Sequence, residues 1–307
     1  MAFLTHNQLR VRYLHWQTAP QQGQWHNSLV PALAAAPDGL DVMQPGVLSA
    51  LPKALSPQPD TVRLVQLSDL HFYQRTDPAY YHTVTHVVHA AAPQLIVLTG
   101  DCIHNRTDGL AGLATFLDAL PKSVQKVAIL GNHDYMDTQR SALVQGVLRD
   151  AGFTVLVNDV LPLPQYGLVV VGVDDYRKGR PDWQGLRTKI TPRLADDSLQ
   201  WLWLAHNPQS IAPWMHHAEL PTDVMLCGHT HGGHVYIPAL EMVYQRVLHM
   251  HHRYGRVAFT RPRGQAQAYV TSGLGGAAFY WDAGPYSGDF PRFRWNTWPE
   301  VVVIDRV

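Results

Sequence analysis

Residues 62–71 read VRLVQLSDLH, and residues 95–101 read LIVLTGD. Each is a short apolar run that stops at side chains able to hold a metal: Asp69 and His71 after the first, Asp101 after the second. The pattern returns at 127–134, VAILGNHD, with Asn132, His133 and Asp134 at its end. Short apolar runs bounded by turn-forming residues fit strands buried on both faces. The stretches between them read as helices. Asp77-Pro78 supplies an N-cap and a first-turn proline, Tyr81, Val84, Val88 and Ala91 follow at helical spacing over residues 79–92, and Pro93 ends the run. Residues 109–120 and 138–150 also read as helices, the second closed by Gly152. Strand and helix in strict alternation predict an α/β domain with right-handed crossovers.

Downstream the chain is richer in strands, expected at 154–157, 168–173, 201–205, 224–227, 235–237, 257–260, 268–271 and 301–304. The segment 273–299 is long, aromatic and rich in Gly and Pro, and a segment of that kind packs as an Ω-type loop or carries a function. Residues 17–59 are rich in Pro, Gln and Ala, and Pro52 to Pro59 (PKALSPQP) reads as a linker or arm. The expected division is an N-terminal extension over 1–60, partly irregular, and one domain over 61–307.

A chain of 307 residues is long enough for one large domain with a sizeable core. Lys plus Arg equals Asp plus Glu at 24 each, so the molecule is not built to hold long nucleic acid by bulk charge. The 18 histidines are many, and His is a common ligand for first-row metals. Two cysteines, Cys102 and Cys227, make no disulfide framework. The first twenty residues contain no uninterrupted apolar stretch of the signal-peptide kind, and no window approaches a membrane span. The expected compartment is the cytoplasm, with peripheral membrane or lipid contact left open and no obligate protein partner inferred.

In an open α/β sheet the carboxyl ends of the strands share one edge, where ligands bind. Two later strands add donors there: His206-Asn207 after 201–205, and GHTHGGH at 228–234, with His229 and His231. Five loops therefore converge. Asp69 and His71 alternate, so an extended turn would aim both at one face. Asp101 can bridge two cations, Asn132 offers a neutral oxygen, and His206, His229 and His231 supply imidazoles. This set of oxygen and nitrogen donors suits Mn, Fe, Zn or Co better than Ca. Two such cations roughly 3.5–4 Å apart can clamp a phosphoryl group and activate water. Each motif alone is weak. Asp-x-His is more often a turn Asp beside a surface His, and a lone His206 is more often a satisfied core histidine. GHTHGGH resists a bland reading, because three histidines among glycines cost backbone entropy and pack poorly. Cys102 and Cys227 read as small buried residues, His86 and His89 as solvent-facing, and Arg75, Arg106 and Arg177 as loop cations that could meet phosphate. His216-His217 and the histidines of 249–252 read as surface or mouth residues.

As a set, Asp69-x-His71, Gly100-Asp101, Gly131-Asn132-His133-Asp134, His206 and Gly228-His229-x-His231 resemble the calcineurin-like metallophosphoesterase superfamily, in order and over about residues 61–237. The strand at Pro299-Glu300 also looks like that family. GHTHGG with Val235-Tyr236-Ile237-Pro238 looks most like the bacterial YkuE/YaeI-type phosphodiesterase branch, some of whose members cleave the pyrophosphate of UDP-diacylglucosamine. The resemblance implies the metallophosphoesterase fold, a four-layer α/β/β/α sandwich of two mixed sheets flanked by helices. It implies two divalent metal ions, Mn favoured: Asp69, His71 and His231 on one, Asn132, His206 and His229 on the other, and Asp101 between them. His133 is then the donor toward the leaving oxygen, and Asp134 a partner for an active-site imidazole.

The implied enzyme is a binuclear-metal-dependent phosphohydrolase using a metal-bridging hydroxide. A phosphodiesterase or nucleotide-sugar pyrophosphatase leads, and a phosphomonoesterase follows. The substrate is a small phosphate ester, phosphodiester or pyrophosphate. Two departures stand out. Cys102-Ile103-His104-Asn105 replaces the Asp-Arg pair of protein Ser/Thr phosphatases, which leaves the orienting partner of His133 open. His234 stands where close relatives commonly have Gln. The rival from another class, a non-catalytic metal-binding scaffold, predicts broken ligand positions, whereas all seven ligand candidates and His133 are present. A nuclease is disfavoured by the neutral charge.

Overall fold

Val62–Leu67, Leu95–Thr99 and Gln125–Ile129 become three neighbouring parallel strands. The computed structural model describes residues 9–16, 33–43, 61–104, 106–135, 138–196, 198–217, 219–221, 223–233, 237, 240, 243, 252–261, 264–275, 280–281, 288–289, 294 and 297–306. In chain order the elements are β1 (Leu9–Trp16), β2 (Leu33–Met43), β3 (Val62–Leu67), α1 (Pro78–Ala91), β4 (Leu95–Thr99), α2 (Leu110–Asp118), β5 (Gln125–Ile129), α3 (Thr138–Asp150), β6 (Thr154–Val155) and β7 (Asp159–Leu163). They continue as β8 (Leu168–Gly172), α4 (Trp183–Ile190), β9 (Gln200–Leu204), α5 (Ile211–His216), β10 (Val224–Cys227), β11 (Gly255–Arg261), β12 (Gly264–Val270), β13 (Tyr280–Trp281), β14 (Gly288–Asp289) and β15 (Glu300–Arg306).

Two mixed sheets carry the architecture. One runs β2-β1-β15-β3-β4-β5-β6 and the other β11-β12-β10-β9-β8-β7. The apolar runs alternate between two buried faces, which is why they read as continuous. Leu64, Leu95, Val97, Val127 and Ile129 point into the layer between the sheets, where they meet Val170, Leu202, Leu204 and Leu226. Val65, Leu67, Ile96, Leu98 and Ala128 point the other way, onto Val84, Val88, Leu113 and Leu148 of the helices. A second outer layer packs Leu186, Ile190, Ile211 and Trp214 on Val169, Val171 and Trp203. Helix, sheet, sheet, helix is the expected four-layer sandwich. Each such aliphatic side chain contributes about 1.5–3 kcal/mol by leaving water.

The helix starts follow their local chemistry. Asp77 caps α1 by accepting from the Ala79 N–H at 2.9 Å, with Pro78 in the first turn. At the end of β3 remote from Asp69, the Arg63 guanidinium grips the Asp305 carboxylate through Nε (2.6 Å) and NH2 (2.7 Å), tying β3 to β15.

The N-terminal stretch, expected as a partly irregular extension, holds a strand of the first sheet. Leu9–Trp16 runs parallel to β15 and antiparallel to β2, inside the first sheet. Leu9, Val11 and Tyr13 are buried while Arg10 and Arg12 are partly exposed, a period-two pattern. Residues 235–236 of an expected strand, and most of the aromatic segment, lie outside the described residues. No helix among the described residues is long and apolar enough to cross a membrane.

Candidate metal centre

The expectation of a single sheet edge is corrected: the loops after β3, β4 and β5 come from the first sheet and those after β9 and β10 from the second, and they meet at the carboxyl ends of the strands of both sheets. Asp69, His71 and His231 each place a donor atom within 4.8 Å of the others, and so do Asp101, His206 and His229. Asp101 joins the two groups: its Oδ2 lies 3.2 Å from His206 Nε2 and 3.5 Å from His71 Nε2. His71 Nε2 stands 2.9 Å from His231 Nε2, and His206 Nε2 stands 3.3 Å from His229 Nδ1. Each facing pair can share one N–H···N hydrogen bond, or turn two lone pairs on one cation. Asn132 Oδ1 is buried without a hydrogen-bond partner, a loss of about 1–3 kcal/mol unless a positive group meets it. Convergent imidazoles, two carboxylates and an orphaned amide oxygen fit divalent first-row metals.

The backbone is bent to make this happen. Among the described residues, Asp69 (φ 52), His71 (φ 49), Asp101 (φ 54), His229 (φ 74) and His231 (φ 51) all sit in the left-handed region. Only Ala92 and Asn158 share that trait among the other non-glycine residues described. Each such residue costs on the order of 1–3 kcal/mol, and strain gathers where a site needs it. The expectation of an extended Asp69-x-His71 turn is therefore corrected: two left-handed residues, not strand alternation, aim the pair at one point. Close approach matters too, because a Cβ on Gly131 would fall within the Asp101 carboxylate.

Partners set the ring orientations. The Thr99 carbonyl lies 2.8 Å from His206 Nδ1 and the Gly275 carbonyl 3.2 Å from His231 Nδ1. A carbonyl only accepts, so at His206 Nδ1 carries the hydrogen and Nε2 faces the centre, whereas His231 Nδ1 faces both the Gly275 carbonyl and the donor-only Arg294 NH2, each at 3.2 Å. Asp69 accepts from the His229 N–H at 2.9 Å and from Ser68 Oγ at 2.6 Å. Charges are strongly coupled. Burial pushes the Asp69 carboxyl up to about 6, aided by Asp101. Burial acts the same way on Asp101, but His206 and His133 outweigh it and hold that carboxyl well below the usual range. Burial would lower His206, yet Asp101 keeps it well above an ordinary imidazole. His229 is lowered to about 3 by burial and by His206.

Two expected roles look different in place. The Asp134 carboxylate meets backbone rather than an imidazole: it accepts from the N–H groups of Gly131 (2.8 Å), Cys102 (2.9 Å) and Ile103 (3.3 Å). It braces the loops after β4 and β5 rather than touching the centre. His133 is half-buried, its N–H donates to Asp101 Oδ1 at 2.8 Å, and its ring meets the His71 ring edge-on at 4.8 Å. The residue that sequence reasoning missed is His104. Its ring stacks on His133 at 5.3 Å, its Nδ1 is 3.4 Å from His71 Nδ1, and the three rings form a further cluster of donor atoms. The signal was the departure at Cys102-Ile103-His104-Asn105. Arg75, Arg106 and Arg177 are exposed, and the Arg177 charge is felt at His229. His234 and residues 249–251 lie outside the described residues.

Cys102 and Cys227 are free and fully buried beside the centre. Burial pushes both thiols up, and Asp134 and Asp101 add to it at Cys102. Neither is expected to react with iodoacetamide in the folded protein, while both react in denaturant. Mass spectrometry checks this, and prompt alkylation of the native chain would contradict it.

Residues 62–233 match the family described as calcineurin-like phosphoesterase. Phosphodiesterase YaeI of Escherichia coli (strain K12) is 29% identical over 249 residues, which is 80% of this chain and 82% of that protein. UDP-2,3-diacylglucosamine pyrophosphatase LpxG of Chlamydia muridarum (strain MoPn / Nigg) is 25% identical over 295 residues, 79% of this chain and 83% of that protein. The uncharacterized metallophosphoesterase YkuE of Bacillus subtilis (strain 168) is 29% identical over 184 residues, 58% of this chain and 61% of that protein. With more than half of its length matched, and with the donors gathered at the strand ends inside that match, the chain belongs to the calcineurin-like phosphoesterase family as a metal-dependent phosphoesterase, consistent with the YkuE/YaeI branch.

Proposed function

We propose that the chain hydrolyses a small phosphodiester or pyrophosphate at a pair of divalent cations. One is held by Asp69, His71 and His231, the other by Asn132, His206 and His229, with Asp101 shared. The observation that carries this is the Asp101 carboxylate, whose Oδ2 reaches both His206 and His71 Nε2. The naming of YaeI as a phosphodiesterase and of LpxG as a pyrophosphatase supports the choice of bond. When bound, such cations supply Lewis acidity and bring the pKa of water toward neutrality. The chain's own residues do the rest. Thr99 fixes the tautomer of His206, Gly275 and Arg294 hold the His231 ring, and Asp134 fixes the loops that carry Asp101 and Asn132. His133 holds a proton at the rim and delivers it to the leaving oxygen, and its stacking on His104 sets the ring angle.

The test is hydrolysis of bis(p-nitrophenyl) phosphate against p-nitrophenyl phosphate by metal-stripped protein refilled with Mn²⁺, with excess chelator as control. Mn²⁺-dependent cleavage of the diester is expected. Cleavage of the monoester alone would turn the reading to a phosphomonoesterase. Folded protein that binds two cations and cleaves neither ester, with Mn²⁺, Co²⁺, Zn²⁺ or Ni²⁺, nor any pyrophosphate, would overturn it.

A further inference from the structure

Arg294 lies in the C-terminal aromatic segment, and the chemistry above gives it no task. Its side chain is 4% exposed. A buried guanidinium is costly unless its N–H groups find acceptors. Here the acceptors are backbone carbonyls. NH1 donates to the Ser272 carbonyl at 2.8 Å, and NH2 donates to the carbonyls of Gly273 (3.3 Å) and Gly275. The same two nitrogens reach the candidate ligand His231: NH1 is 3.5 Å from its carbonyl oxygen, and NH2 is 3.2 Å from its Nδ1.

The turn gripped in this way lies under Asp69 and the Leu70 that joins it to His71. The Leu274 N–H donates to the Ser68 carbonyl at 2.9 Å, and the Gly275 N–H donates to the Asp69 carbonyl at 2.6 Å. Gly273 has φ 69, and a Cβ on it would lie 2.6 Å from the Asp69 Cβ. Glu300 ties the turn down from its other end, accepting from Thr271 Oγ1 at 2.8 Å and the Ser272 N–H at 3.2 Å. Asp69 and His71 hold left-handed conformations that need such a buttress. One guanidinium thus bridges the support of Asp69 and His71 to His231, all three on the same side of Asp101.

We propose that Arg294 is the positioning residue for the cation held by Asp69, His71 and His231, assembling that half of the centre from the C-terminal segment. The inference rests on the reading that this half takes a cation, and it concerns Arg294 alone. Loss of the guanidinium loosens one cation and leaves the other, held by Asn132, His206 and His229, in place. Partners of this outer kind are worth 10–100-fold in metal affinity.

The experiment uses the full chain, metal-stripped and titrated with Mn²⁺ by calorimetry, with bound metal counted after desalting. Arg294→Ala and Arg294→Lys are compared with Arg63→Lys. Arg63 is also buried and forked, but it serves the Asp305 pair at the remote end of β3. Wild type and Arg63→Lys are expected to retain two cations per chain with equal affinities. The Arg294 variants should keep one tight cation and bind the other about 10–100-fold more weakly, and paired Mn²⁺ spin coupling should disappear at low Mn²⁺. Arg294→Lys decides the matter if Arg294→Ala fails to fold. Two cations bound at wild-type affinity by a folded Arg294 variant, or equal weakening of both, would overturn the proposal. A wild type that binds no pair would instead sink the reading of the centre, and this inference with it.

Discussion

Asp101→Asn is expected to lower kcat/KM for the diester by at least about 10³-fold, on the order of 4 kcal/mol of lost transition-state stabilisation. The substitution is chosen so that the fold survives. Asp101 sits at φ 54, a conformation that Asn tolerates better than most residues. The amide oxygen can still accept the His133 N–H, now 2.8 Å from Oδ1. The second carboxylate oxygen becomes an NH2 group facing His206 Nε2 and His71 Nε2, where a shared negative donor is needed. The variant should therefore fold, melt cooperatively and bind at most one cation tightly. Wild-type turnover with two cations bound would show that Asp101 is not the shared ligand. Lost turnover with partner binding intact is the mark of an enzyme, since a scaffold has no turnover to lose.

The legible parts of the molecule are those with local causes. β3, β4 and β10 coincide with their expected runs, because Leu64, Val97 and Leu226 alternate with neighbours buried on the opposite face. Asp77-Pro78 marked the start of α1 for the same reason: cap and proline act within one turn. β5 starts earlier than its apolar core, at Gln125, because Lys126 stays in the strand with its stem buried and its Nζ on the Ala151 carbonyl. β1 was hidden, although Leu9, Val11 and Tyr13 alternate with Arg10 and Arg12. Its partner β15 lies at the far end of the chain, and a face of Arg10 and Arg12, which meets Trp298 and Tyr254, does not declare itself as part of a sheet. In the site, donor types and their order were readable. The left-handed turns, the backbone partners of Asp134 and the placement of Arg294 were not. Each depends on a contact between segments far apart, such as Gly275 with Asp69, that no spacing encodes. Left-handed backbone at five donor residues is a conflict between local preference and global fold, and such conflicts mark function.

His133→Ala should cost activity in proportion to how badly the leaving group needs a proton. Positioned general acids contribute roughly 10²–10⁴-fold. A p-nitrophenolate departs readily unprotonated, so its release should fall least, while an alkyl diester or a nucleotide-type leaving group should fall by about 10²-fold or more. The geometry lets the side chain be removed cleanly. The hydrogen bond to Asp101 comes from the His133 backbone N–H, which alanine retains, while the ring packs against His104 and His71. Cation content should therefore stay at the wild-type level, which separates this variant from Asp101→Asn. A purely structural histidine would slow both leaving groups equally, and equal slowing, or loss of a cation, would remove His133 from the role of acid. If the two esters diverge as expected, a double variant with His104→Ala should add little for the alkyl ester. The His104 ring stacks on His133 and also reaches His71 Nδ1 at 3.4 Å, so where cation content is unchanged its effect runs through His133, and effects within one such unit are not additive.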